Sequence, residues 1–164
     1  MGSVHGRTTL DRTDARLLQA LGRSPRATVL ALAEELGLSR NTVQARLARL
    51  ERDEVLLPFE RRVDPAAIGY PVTAIITVRL RQQMLVDVSA ALADVPEVVE
   101  VFGLSGPTDL LVRVVAPDAD DLYRIAGVIL ATPGIDRTHT ALVMRRLVEY
   151  RIDPLLRRLA GDDG

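Results

Sequence analysis

The 164-residue chain has no cysteine, no tryptophan and no lysine, and aromatic side chains make up only 3% of it. Without cysteine there are no disulfides, no thiolate zinc sites and no thiol catalysis, which agrees with a reducing compartment. So few rings leave little scope for stacking on nucleobases. The absence of lysine removes the side chain that grips phosphate in a P-loop. With only His5 and His139 as imidazoles, the sequence shows no metal-ligand cluster and no acid-base set, so no catalytic residue, metal or cofactor is expected. No apolar run approaches the ~18 residues that span a bilayer. The opening MGSVHGRTTLDR lacks the apolar stretch of a signal peptide. The expectation is therefore a cytoplasmic protein.

Hydrophobic residues make up 48% of the chain, enough for true cores in one medium or two small domains. The net charge of −1 is unevenly spread. Residues 1–62 hold eleven arginines against eight acidic residues, and the remainder holds ten against fourteen. A basic first third on an acidic body points to a nucleic-acid-binding head. Arginine forks suit both phosphate and guanine.

Periodicity divides the chain into two parts. Asp11 is placed to cap a first helix in which Asp14, Leu17, Leu18 and Leu21 share one face, with Gly22 ending it. Val29, Leu32, Ala33 and Leu36 repeat the spacing in a second helix that stops at Gly37. Ser39 caps a third, anchored by Val43, Leu47 and Leu50. VLLPFERRV then reads as a small hairpin, and residues 63–71, with two prolines and a glycine, read as a linker. Beyond it, Val72–Leu80 alternates as a half-buried strand, and Leu85, Val88, Leu92 and Val95 have helical spacing. Two strands over 98–104 and 109–115, a helix capped by Asp118 and a strand over 138–144 complete the order β-α-β-β-α-β. A short terminal helix follows, with Asp153 as its cap, Pro154 at its first position and Gly161 as its stop.

The fold class read from this order is α+β. An N-terminal winged helix-turn-helix spans residues 1–62, and a ferredoxin-like domain spans 72–164 with the short C-terminal helix. A four-stranded sheet covered on one face by two helices leaves its other face to be covered by a second copy, which predicts a homodimer.

In the helix-turn-helix, burial of Val43, Leu47 and Leu50 leaves Arg40, Asn41, Gln44, Ala45 and Ala48 on the outer side of the third helix. Arginine, asparagine and glutamine read guanine and adenine edges, and alanines let a helix sit deep in a groove of double-stranded DNA. Ser39 and Thr42 at the helix N-terminus favour a phosphate. Arg46 and Arg49 flank this face, and Arg61 and Arg62 lie on the hairpin as a wing. The bland alternative pairs Arg46, Arg49 and Arg52 with Glu51, Asp53 and Glu54 as a solvated helical face.

The bend VFGLSGPTDLLVRV, 101–114, admits three readings: a phosphate loop, a catalytic Asp109, or a hairpin turn. A strand follows it instead of a Lys-Ser/Thr and a helix, and Asp109 has no partner for catalysis. A turn or a ligand-facing bend remains.

The segments LDRTDARLLQAL, LAEELGLSRNTVQARLARLE, VDPAAIGYP, GLSGPTDLL and PGIDRTHTALV together resemble the Lrp/AsnC, or feast/famine, family. The resemblance covers nearly everything from Leu10 to Tyr150. It implies a sequence-specific transcriptional regulator that forms dimers through its sensor sheets, often assembles to octamers, and binds a small effector, usually an amino acid, between sensor domains. Ser105, Gly106 and Asp109 match the family's Thr-Gly-x-x-Asp bend, so the resemblance places effector binding there. Leu104, Thr138 and Thr140 are placed to wall that site, and Asp109 either meets an ammonium group or shapes the loop. Glu54 departs from the family's glycine before the wing, so a differently built turn is expected there. The alternatives are an enzyme on the same architecture, such as the sirohaem decarboxylases, or a regulator that needs no effector.

Overall fold

The computed structural model describes residues 9–57 and 63–161. The chain divides into two compact units, one of residues 1–61 with 148–164 and one of residues 62–147.

The first unit begins with α1 (Arg12–Arg23), which runs one residue past Gly22. Its N-terminus is a reciprocal capping box. The Asp14 N–H donates to Asp11 Oδ1 at 2.7 Å, and the Asp11 N–H donates to Asp14 Oδ2 at 3.0 Å. Two of the first turn's orphan donors are satisfied in this way. Helix α2 (Val29–Leu36) is capped by Thr28 and closed by Gly37. Helix α3 (Arg40–Arg52) is capped by Ser39, whose Oγ accepts from the Thr42 N–H at 3.1 Å. The three helices bury Leu17, Leu18, Leu32, Ala33, Leu36, Val43 and Leu50 in one core, as their spacing predicts, together with Ala15, which the spacing did not single out.

The turn after α3 keeps the geometry a glycine would give. Val55 N–H donates to Leu50 O at 2.9 Å and Glu54 N–H to Glu51 O at 3.0 Å, the 6→1 and 5→2 bonds of a Schellman motif. Glu54 occupies the left-handed position at φ 53°, the single non-glycine with positive φ among the described residues. The expectation of a differently built turn is therefore corrected: satisfying the orphan carbonyls of α3 outweighs the strain at Glu54. Most of the expected wing hairpin, including Arg61 and Arg62, lies outside the described residues.

Helix α6 (Asp153–Ala160) departs from the domain plan read from the sequence. Its Leu156 and Ala160 belong to the same core as α1–α3, so it completes the first unit and not the sheet unit. Its apolar positions find their partner on α1, which order along the chain does not reveal. Ile152 is its N-cap and makes no side-chain cap bond; Asp153 lies inside the helix and pairs with Arg157 at 2.7 Å.

The second unit has the expected order: β1 (Val72–Leu80), α4 (Leu85–Ala93), β2 (Val98–Gly103), β3 (Leu110–Ala116), α5 (Ala119–Leu130) and β4 (Ile135–Leu142). All pairings are antiparallel, in the order β2-β3-β1-β4. Ala74, Ile76, Val78, Leu110, Val112 and Val114 pack on Val88, Leu92, Ile125 and Ile129 of the two helices. Residues 65–68 of the expected linker form a 3₁₀ turn capped by Asp64 that belongs to this unit. Strand β4 starts and ends earlier than its β-propensity suggests, because it is bounded by β1. Leu80 pairs with Ile135, a bulge follows at Arg79/Leu80, and Ala74 pairs with Leu142. The other sheet face carries Ile75, Leu111 and Phe102, the last 46% exposed.

Candidate functional site

The outer face of α3 is built as its spacing predicts. Val43 and Leu50 are fully buried, whereas Arg40, Asn41, Gln44, Ala45 and Ala48 are exposed. Ser39 Oγ and Thr42 Oγ1 lie 2.8 Å apart at the start of the helix. Asn41, Thr42, Ala45, Arg46 and Arg49 line an open hollow of about 530 Å³.

Arg46 and Arg49 do more than flank this face. Arg46 Nη1 donates to Asp11 Oδ2 and to Asp14 Oδ1, each at 2.7 Å, and Arg49 Nη2 donates to Asp14 Oδ2. Asp14 is fully buried, so two guanidinium groups stand where water would otherwise solvate its charge. The Arg46 guanidinium, followed by the Asp14 N–H, holds the Asp11 carboxyl below the usual aspartate range. Arg49 Nε is buried and has no hydrogen-bond acceptor among the described residues. The ion pairs of Arg46 and Arg49 to Asp11 and Asp14 thus run to the first turn of α1, whereas Arg52 pairs with Asp53 at 3.3 Å as the solvated-face alternative expects. Sequence reasoning placed Asp14 on the apolar face but missed its role. An acidic residue in an otherwise apolar stripe was the signal, because a buried carboxylate requires a charged partner.

The bend at residues 104–109 turns the β2–β3 hairpin, with Ser105 and Gly106 exposed and Gly106 at φ 136°. Asp109 is tied to β1, to the turn after it and to its own bend. Its Oδ2 accepts from the Leu80 N–H at 2.9 Å and its Oδ1 from Gln82 Nε2 at 2.5 Å. Its own N–H donates to Val78 O at 2.9 Å, and its carbonyl accepts from the Leu104 N–H at 2.8 Å. These bonds make Asp109 a brace that shapes the loop. Of the residues placed around the bend, Leu104, Ser105, Gly106 and Asp109 lie together. Thr138 and Thr140 do not join them within one chain. They pair with Val78 and Ile76 from the β4 side of β1, so the register turns them toward the helix-covered face.

Among the described residues, no group of three His, Asp or Glu side chains is arranged to hold a metal ion. No described helix is long and apolar enough to cross a membrane.

Comparison with known proteins matches residues 10–51 to the AsnC-type helix-turn-helix domain and residues 73–152 to the Lrp/AsnC ligand binding domain. The chain is 31% identical over 156 residues to the proline dehydrogenase transcriptional activator of Rhizobium radiobacter, covering 93% of this chain and all of the relative. The fold matches E. coli AsnC with a TM-score of 0.80 at 24% identity, over 89% of this chain and 99% of that one. It also matches a transcriptional regulator of Neisseria meningitidis solved as a complex with L-Met, with a TM-score of 0.76 and 26% identity over 86% and 94% of the two chains. These relatives are named as transcriptional regulators, which sets the decarboxylase alternative aside.

Proposed function

The chain belongs to the Lrp/AsnC family of DNA-binding transcriptional regulators, and from that premise we propose how it reads DNA and what tunes it. Helix α3 enters the major groove. Arg40, Asn41 and Gln44 meet base edges there, Ala45 and Ala48 allow close approach, and Ser39 with the helix N-terminus takes a backbone phosphate. The observation that carries this is the division of α3 into a buried Val43/Leu50 side and an exposed Arg/Asn/Gln side. Two copies, joined through the sheet face that bears Ile75, Leu111 and Phe102, present two such helices to a pseudo-palindromic site.

The effector is a small molecule, and an amino acid fits best. The exposed backbone at Ser105 and Gly106 can meet a carboxylate. Asp109 keeps that bend in shape from β1, and Thr138 and Thr140 contribute from a neighbouring copy. The L-Met complex of the Neisseria regulator supports an amino acid.

The test is a mobility-shift titration on the gene's own upstream DNA and a shuffled control, with and without a panel of the twenty amino acids. Arg40→Ala and Gln44→Ala should each weaken specific binding by about 1–3 kcal/mol while leaving control binding unchanged. Equal binding of both DNAs by the wild type at low salt would reject base readout. No heat and no change of assembly across the panel would reject amino-acid sensing.

A further inference from the structure

Helix α6 is only eight residues long, too short to persist alone in water, so its docking on α1 is what makes it a helix. Two features hold the dock. Leu156 and Ala160 are 9% and 6% exposed in the core shared with Ala15, Leu17 and Leu18. At the far end, Gly161 closes α6 at φ 82°, and a Cβ built there would lie 3.0 Å from Arg12 Nη2 and 3.1 Å from Arg12 Cζ. The Arg12 guanidinium therefore sits against the C-terminus of α6, where a cation is favoured by the exposed carbonyls. Arg12 is the first residue of α1, directly after Asp11 and two before Asp14. Those two carboxylates are the seat of Arg46 and Arg49 on α3. An unbroken run of contacts leads from the C-terminal helix, through the first turn of α1, to the helix whose outer face carries Arg40, Asn41 and Gln44.

We propose that α6 is a positioning element of the DNA-reading unit: by fixing the first turn of α1 it sets the Asp11 and Asp14 carboxylates, and through them the pose of α3. The inference rests on α3 being the DNA-reading helix. In this proposal α6 acts through α1 and not through contact with DNA. Because residues 143–152 join α6 to β4, the ligand-binding part of the chain also ends on the element that seats the recognition helix.

The experiment uses the full chain, a chain ending at Arg151, and Leu156→Ala. Each is titrated by fluorescence anisotropy against upstream and shuffled DNA, and amide exchange is followed in α1 and α3. Deletion should raise the Kd for upstream DNA about tenfold and leave the Kd for shuffled DNA within about twofold, so the specificity ratio collapses. Exchange should quicken at Ala15 and in α3 while the sheet unit stays protected. A merely structural tail would not change the ratio of the two affinities. If deletion melts the first unit, Leu156→Ala decides, with a fall in the ratio of about threefold expected. A folded variant with the wild-type ratio overturns the proposal. A wild type that shows no preference between the two DNAs instead overturns the reading of α3 on which it rests, and the two failures are told apart by that control.

Discussion

Replacing Asp14 with asparagine keeps its shape but removes the charge on which two elements of the first unit are joined. The native carboxylate is fully buried and accepts from Asp11 N–H, Arg46 Nη1 and Arg49 Nη2. An asparagine can still accept through its one oxygen, but its amide donors then face guanidinium donors. Removing one partner of a fully buried ion pair costs about 3–5 kcal/mol. Here the arginine side chains remain 23% and 35% exposed, and Arg46 keeps Asp11 at 2.7 Å, so water and Asp11 recover part of that loss. The net expectation is about 2–3 kcal/mol, taken at the lower end for partial solvation. For a unit of this size each kcal/mol moves the midpoint by roughly 4–8 °C, so calorimetry should show the first unit's transition falling by roughly 10–20 °C. The transition of the sheet unit should not move, since it has its own core. Because Arg49→Gln removes the same interaction from the other side, the double variant should be less destabilised than the sum of the singles by about 1–2 kcal/mol. A drop of under about 3 °C for Asp14→Asn, or strict additivity with Arg49→Gln, would refute the claim that this carboxylate holds α3 to α1.

Three further outcomes follow from the same geometry. Asp11 has its pKa lowered in the folded state by Arg46, so its contribution is complete above the unfolded aspartate value and is lost as pH falls through the lower folded one. The gap in melting temperature between wild type and Asp11→Asn should therefore be constant from neutrality to about pH 5 and close below about pH 4; a gap that widens on acidification would contradict the sign. Glu54→Gly should stabilise the first unit by about 0.5–1 kcal/mol, since left-handed strain of about 1–2 kcal/mol is relieved against some added freedom in the unfolded chain. Denaturant midpoints read this directly, and a destabilised glycine variant would show that the side chain at 54 outweighs its backbone. Asp109→Ala should lower the stability of the sheet unit by about 1–3 kcal/mol, because the Leu80 N–H and Gln82 lose their acceptor. A variant that loses effector heat at unchanged stability would instead make Asp109 a ligand contact.

Much of the fold was legible because its determinants are local. Ser39, Gly37 and Asp118 mark helix ends by their own side chains or backbone freedom, and the 3.6- and 2-residue periods separate the helices from the strands. The exposed row on α3 was equally legible, since it is the complement of a buried stripe. What escaped was long-range. Nothing in DPLLRRLA says which unit its Leu156 will enter, and Asp11, Asp14, Arg46 and Arg49 are joined across more than thirty positions. The Glu54 turn escaped for a different reason: residue preference predicted another geometry, while the bonds needed to end α3 fixed the observed one. At the bend, the family resemblance grouped the residues, but only the β1 register shows that Asp109 and Thr138 flank the same stretch of that strand from opposite sides.

The Asp11–Asp14–Arg46–Arg49 cluster also changes how the charge of the reading face should be counted. Two carboxylates and two guanidiniums sum to zero, so Arg46 and Arg49 attract phosphate far less than free arginines at the same positions would. Phosphate attraction supplies affinity without sequence information, whereas base-edge contacts supply the discrimination. On the proposal that α3 reads DNA, flanking arginines committed to α1 give up non-specific attraction while Arg40, Asn41 and Gln44 stay outward. Preorganisation reduces the ordering entropy that binding must overcome, which favours the site where base contacts are made over sites where they are not. On that same proposal, the two acidic residues that complete the first turn of α1 bear on the selectivity of α3, and loosening that turn should lower it.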